Sequence, residues 1–186
     1  LARLRRRLKR PGEIKTVDKA LAALAAERGM SASELEEIGL PDFGFAQDRT
    51  LEIAVGPATA ILSIDEEHAL DVVWRGANGE LQKSVPVAVK DAYATELKEL
   101  KARTKEIDET LKAQRLRIER LYLSDRAWPF AVWKSRYHDE LLVSGLSRRL
   151  IWSFEVGGRW VSAIYHRDGF VDAAGEPLDV AAIAGV

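Results

Sequence analysis

The chain has 186 residues, no cysteine, 47% hydrophobic and 31% charged side chains. These values fit one globular domain, with or without a flexible arm, and a chain long enough to bury a core unaided; they exclude disulfides, thiolate metal sites and cysteine nucleophiles. The formal charge of −1 conceals an asymmetry, because residues 1–10 (LARLRRRLKR) carry six basic side chains and no acid, leaving −7 on the other 176.

No apolar run approaches the ~20 residues of a membrane span, and no apolar stretch follows the charged start as it does in a signal peptide. The start at Leu1 and the absence of cysteine read as a segment of a larger cytoplasmic protein with no membrane partner.

Residues 1–12 read as a basic arm, or as the end of a preceding helix, stopped by Pro11-Gly12. Arg3, Arg5, Arg6, Arg7, Lys9 and Arg10 are candidate nucleic-acid contacts, since neutralising several phosphates gives sequence-independent, salt-sensitive binding. Leu1, Leu4 and Leu8 recur at helical spacing, which favours the helix-end reading. Residues 13–186 are expected to form a single α+β domain. Thr16 caps a helix through Val17, Leu21, Leu24 and Ala25 to Gly29. Ser33 opens a short second helix, with Glu36 completing a capping box, and residues 41–49 form a loop.

A first antiparallel meander is expected over about 50–84. Its strands are Thr50–Val55, Ala58–Ile64, Leu70–Arg75 and Leu81–Ser84. Gly56-Pro57, the acidic turn Asp65 to His68, and Asn78-Gly79 separate them. A long helix follows, about 87–124, because no Gly or Pro interrupts that stretch. Leu97, Leu100, Ile107, Leu111, Ile118 and Leu121 form a heptad seam, broken by Thr104 and Gln114. The seam either packs on the chain's own helices or joins a partner or a second copy, making an oligomer through this helix. Mixed flanking charges read as a solvated face. Pro129 starts another helix through residue 137, and Leu141–Leu146 a further one closed near Gly145. A second meander over about 149–173 closes the pattern, turning at Gly157-Gly158 and at Arg167 to Gly169. Trp128, Trp133, Trp152 and Trp160 are expected to form its core, with Trp74 partly exposed.

The Trp-rich half has a recognisable order: Arg126-Ala127-Trp128, Trp133, His138 with Leu141-Leu142, Arg148-Arg149-Leu150-Ile151-Trp152, Asp168-Gly169, then Asp172 to Glu176-Pro177. With Pro41-Asp42-Phe43-Gly44 upstream, the chain over roughly residues 30–180 resembles a bacterial family of unknown function. That family is found beside WGR domains and labelled molybdate-metabolism-regulator-like. The resemblance implies a segment of a large multi-domain protein with a regulatory role and transfers no catalytic residue. The His138-Asp139 step departs from the His-Pro often present there.

Specific chemistries find little support. His68, His138 and His166 are isolated, with no His-x3-His pair, so no metal ligands are assigned. There is no Gly-x-Ser-x-Gly elbow, Walker loop or Gly-x-Gly-x-x-Gly, and no catalytic residue or cofactor is expected. The leading expectation is a non-catalytic interaction or regulatory module that contacts other domains of its parent protein or a separate protein. The alternatives are a nucleic-acid-binding module using residues 1–10, and an enzyme whose site gathers His138, Asp139 or Asp168.

Overall fold

The computed structural model describes residues 10–41, 43–123 and 125–186. They fall into two compact units, one within residues 1–42 and one within residues 43–186. The fold is mixed helix and strand, with two antiparallel sheets and a long central helix.

The first unit holds α1 (Pro11–Glu27) and α2 (Ala32–Ile38). Pro11 begins α1: its missing N–H costs nothing at a first turn, and its fixed φ suits one. Thr16 therefore lies inside α1, its hydroxyl donating to the Gly12 carbonyl at 2.9 Å. Val17, Leu21 and Ala25 repeat every four residues and are buried together with Leu35 of α2. The end of α1 is tied by Met30 N–H to Ala25 O at 2.9 Å and Gly29 N–H to Ala26 O at 3.1 Å. Gly29 at φ 65 supplies the left-handed residue this closure needs. The cap of α2 is Ser31 rather than Ser33. Its hydroxyl accepts from Glu34 N–H, and Glu34 accepts from Ser31 N–H at 2.7 Å. The S-x-x-E pattern occurs at both positions, and the earlier one adds half a turn of helix.

In the second unit, β1 (Thr50–Val55), β2 (Ala58–Ile64), β3 (Leu70–Arg75) and β4 (Leu81–Gln82) form an antiparallel sheet in that order. β4 is two residues shorter than expected. The Asn78-Gly79 turn is a three-residue loop, with Gly79 N–H on Gly76 O and Gly79 alone at positive φ. The loop after β2 closes the same way, with His68 at φ 63 where glycine usually sits.

The long helix is not continuous from residue 87. α3 (Val87–Ala92) ends at Tyr93, and α4 runs Ala94–Leu121, about 42 Å at 1.5 Å per residue. It stops three residues short of the expected end. The break falls where the Tyr93 ring lies against Gly56: a Cβ there would come within 2.4 Å of it. Sequence shows no Gly or Pro at Tyr93 to mark the break.

Leu97, Leu100, Ile107 and Leu111 of α4 are buried in one core with Leu51, Val55, Ala60, Leu62 and Trp74 of the first sheet. Trp74 is thus interior, contrary to expectation. Arg115 of α4 donates to Glu67 O, and Arg149 to Glu66 O at 2.7 Å. Two guanidinium groups therefore hold the acidic loop between β2 and β3.

Beyond α4 come α5 (Phe130–Trp133), a π-helical turn (Lys134–His138) and α6 (Leu141–Ser147). Gly145 lies inside α6 rather than closing it. A Cβ there would meet Arg49 Nη1 at 2.4 Å, so this glycine seats the guanidinium. The second sheet, β5 (Trp152–Val156), β6 (Arg159–His166), β7 (Gly169–Asp172) and β8 (Ile183–Gly185), has the order β7-β6-β5-β8. β8 lies outside the expected meander: its alanine-rich sequence has no strand pattern, and pairing with β5 makes it one. On the inner face Trp133 packs edge-on against Trp152 at 5.1 Å and Phe154 at 5.2 Å, while Trp128 meets Tyr137 at 5.2 Å. Such aromatic pairs add to the burial they already provide.

Candidate functional site

The six seam residues divide along α4. Leu97, Leu100, Ile107 and Leu111 are core. Ile118 is buried and Leu121 half-buried, and these last two line a surface groove of about 210 Å³. The seam's polar members are accommodated inside the molecule. Thr104 donates to Leu100 O at 2.9 Å. Gln114 accepts from Arg117 Nε at 2.7 Å, and Arg117 reaches the Tyr137 hydroxyl at 3.1 Å.

Three stretches converge on the groove. The end of α4 contributes Ile118, Leu121 and Tyr122; the connection to α5 contributes Arg126 and Trp128, with the Arg126 guanidinium 4.9 Å from the Trp128 ring centroid. Leu150 to Ser153 form the facing wall, flanked by Trp160 of β6 and by Val186. Large apolar side chains that line it stand exposed: Tyr122, Ile151 (68%) and Trp160 (58%). Trp160 is therefore not core. Strand alternation places it opposite Glu155 on the outer face, while Phe154 and Ala163 point inward. The sequence carries Ile151 and Trp160 as ordinary strand residues, and only the long-range fold shows that both face outward beside one cleft.

The three histidines are far apart in role. His68 is buried under the β2–β3 loop, and burial, aided by the Arg115 guanidinium, pushes its imidazole down to about 4. His138 is buried between Trp133, Tyr165 and Phe170. Its own burial, with Arg148 nearby, likewise lowers it to about 4. Both are neutral near pH 7. His166 is exposed on β6. Among the described residues no group of three or more His, Asp or Glu could hold a metal ion.

Asp139, one of the carboxylates of the enzyme alternative, and its neighbour Glu140 have structural work. Asp139 pairs with Lys134 at 2.6 Å, and the Glu140 side chain accepts from Leu142 N–H. None of His138, Asp139 and Asp168 lines the groove.

Arg3, Arg5, Arg6, Arg7 and Lys9 lie outside the described residues. Arg10 is exposed, its Nη1 3.5 Å from Glu13 Oε1. Among the described residues no helix is long and apolar enough to cross a membrane.

Comparison with curated proteins and with solved structures returned no match. A family model does match, over residues 79–186, a span that holds α4, the second sheet and every groove residue but not the first three strands. This is a narrower stretch than the 30–180 suggested by the motifs. Covering more than half of the chain, the match shows that it belongs to the family described as a domain of unknown function, DUF4132.

Proposed function

We propose that this chain is a non-catalytic protein-interaction module of a larger bacterial multi-domain protein acting in the cytoplasm, with the groove at the end of α4 as its contact surface. The supporting observation is the exposure of Ile151 and Trp160 beside a preformed apolar cleft. Scattered apolar side chains are normal on a protein surface, but a contiguous patch around a concave site marks binding. Trp and Tyr are the side chains that concentrate affinity when a partner covers them. A regulatory role in a WGR-associated, molybdate-metabolism-regulator-like protein is the specific form suggested by the motif order.

The test places a photo-crosslinking amino acid at Tyr122 or Trp160, and at Lys98 on the opposite end of α4 as a control, in the full-length parent protein in bacteria. The expected result is one reproducible protein adduct from the groove positions, absent from Lys98 and abolished by Ile151→Glu. Equal, non-specific adducts from all three would overturn the reading. Salt-sensitive binding of labelled DNA or RNA that disappears on deleting residues 1–10 would replace it with the nucleic-acid alternative.

A further inference from the structure

We propose that the β2–β3 loop is an acid-released latch: protonation of His68 expels its ring and frees the loop while both sheets stay folded.

The loop is a self-contained turn. Asp65 N–H donates to Ala69 O at 3.0 Å, His68 N–H to Asp65 O at 3.1 Å, and Ala69 N–H to the Asp65 carboxylate at 2.7 Å. Residues 65–69 can therefore move as one piece. Its ties to the rest of the unit are the Arg115 guanidinium on Glu67 O and the Arg149 guanidinium on Glu66 O. Both arginines are exposed, and hydrogen bonds that water can replace hold weakly. The anchor is the His68 ring: Asp65, Glu66, Glu67 and Ala69 are exposed, while His68 is 5% exposed. His68 also holds φ 63, a left-handed conformation that a residue other than glycine keeps only while its surroundings impose it. Releasing the ring removes that constraint.

The ring's site suits a neutral imidazole. Among the described residues neither of its nitrogens has a hydrogen-bond partner. Two guanidinium groups face it, Arg115 from α4 and Arg49 from the segment before β1, the latter seated against Gly145 of α6. Asp65 of its own loop and the Leu111 carbonyl of α4 favour a charged ring, but burial and the two cations outweigh them. A proton gained there adds a third positive charge with no acceptor to receive it. An expelled imidazolium instead lies in water on the loop that carries Asp65, Glu66 and Glu67. Expulsion also takes Glu66 O and Glu67 O from Arg149 and Arg115, so acid frees two guanidinium groups on this side of the molecule.

The sign follows from the folded value of about 4 against the ordinary 6.5. The closed loop is at full strength above pH 6.5 and weakens as the pH falls toward 4. The ratio of open to closed loop should rise about 20-fold from pH 7 to pH 5. His138 packs among Trp133, Tyr165 and Phe170 of the second sheet's core, so its protonation acts on unfolding and not on this loop.

The test is amide exchange by NMR on the whole chain, expressed as protection relative to the unstructured peptide at each pH. Protection of the His68 and Ala69 amides should fall about 20-fold from pH 7 to pH 5. It should be unmoved by dilute urea, because a local opening exposes little surface, whereas Ala60 and Leu62 in the middle of β2 should exchange only through urea-sensitive unfolding. His68→Phe fills the site with a ring that cannot titrate and should leave loop protection independent of pH. His68→Asn, which tolerates the left-handed conformation, should do the same and serves if the phenylalanine variant does not fold. Loop amides that exchange in step with Ala60 and Leu62, with the same urea dependence, overturn the latch. So does an equal acid response in either variant.

Discussion

Both sheets are four-stranded and antiparallel, and each lays one face on helices, but their outer faces diverge. On the first sheet β2 alternates regularly, with Ala58, Ala60, Leu62 and Ile64 inward. Its outward residues, Thr59, Ile61 and Ser63, are flanked by Thr50, Glu52 and Ala54 on one side and by Asp71, Val73 and Arg75 on the other, and Arg75 pairs with Glu52 across the strands. The second sheet uses the same alternation, yet β6 turns Trp160 and Ile164 outward, both exposed. The period-2 pattern explains the inward set on both sheets. It does not require a tryptophan on a solvated face. The first sheet's outward apolar residues are half-buried Ile61 and Val73 and exposed Leu81, whereas the second turns out a tryptophan, and does so beside the cleft.

The largest break expected in that contrast comes from charging the first core. Leu111 is 1% exposed among the strands of the first sheet. Leu111→Glu buries an unpaired carboxylate and should abolish cooperative unfolding, while Leu111→Ala should cost about 2–5 kcal/mol, followed by circular dichroism in urea. A folded Leu111→Glu monomer would show instead that the seam is an interface.

The hairpin glycines sharpen the contrast. Gly56 and Gly157 share φ 57, but only Gly56 faces a ring that an added Cβ would strike. Gly157→Ala should lose about 1 kcal/mol from backbone strain alone, and Gly56→Ala about 1–3 kcal/mol in the same urea series. Equal losses would mean that Tyr93 moves aside freely.

Acid tests one buried imidazole in each region. The folded-state values of His68 and His138, about 4, lie below the ordinary 6.5. Between those limits the unfolded chain binds protons that the folded chain refuses. Stability is therefore complete above pH 6.5 and falls as the pH drops toward 4. The melting temperature should decline across that window, and His138→Phe, which keeps the ring among Trp133, Tyr165 and Phe170, should flatten the decline. A parallel slope in that variant would assign the acid sensitivity elsewhere.

The smallest effect on stability should come from the outer face of the second sheet. Ile151→Glu and Trp160→Ala should each shift unfolding by no more than about 0.5 kcal/mol, as exposed positions do. A loss of several times that would make them structural and remove the reason to read them as contacts.

Much of this architecture is legible in the amino-acid sequence. The first three strands have their expected limits because alternation and turn chemistry are local. The glycine pair 157–158 turns the second sheet for the same reason. The features that sequence hides depend on residues distant along the chain. Tyr93, where α3 ends, packs on Gly56, β8 is a strand because of β5, and Gly145 makes room for Arg49. The groove is the extreme case: residues 118, 121, 122, 126 and 128 meet 150–153, 160 and 186 there, and no short window of sequence contains them together. Spacing along α4 points to Ile118 and Leu121, but not to the change of the seam from core to cleft at its end.

The outward Trp160 also makes the protein its own optical sensor. Trp74, Trp128 and Trp133 are buried and Trp152 is half-buried, so iodide or acrylamide in solution reaches the indole of Trp160 before the others. The quenchable share of the intrinsic emission therefore belongs mainly to one side chain at the rim of the cleft. Anything that settles against it will register as emission that quenchers no longer extinguish, without a dye and at the concentration of the protein alone.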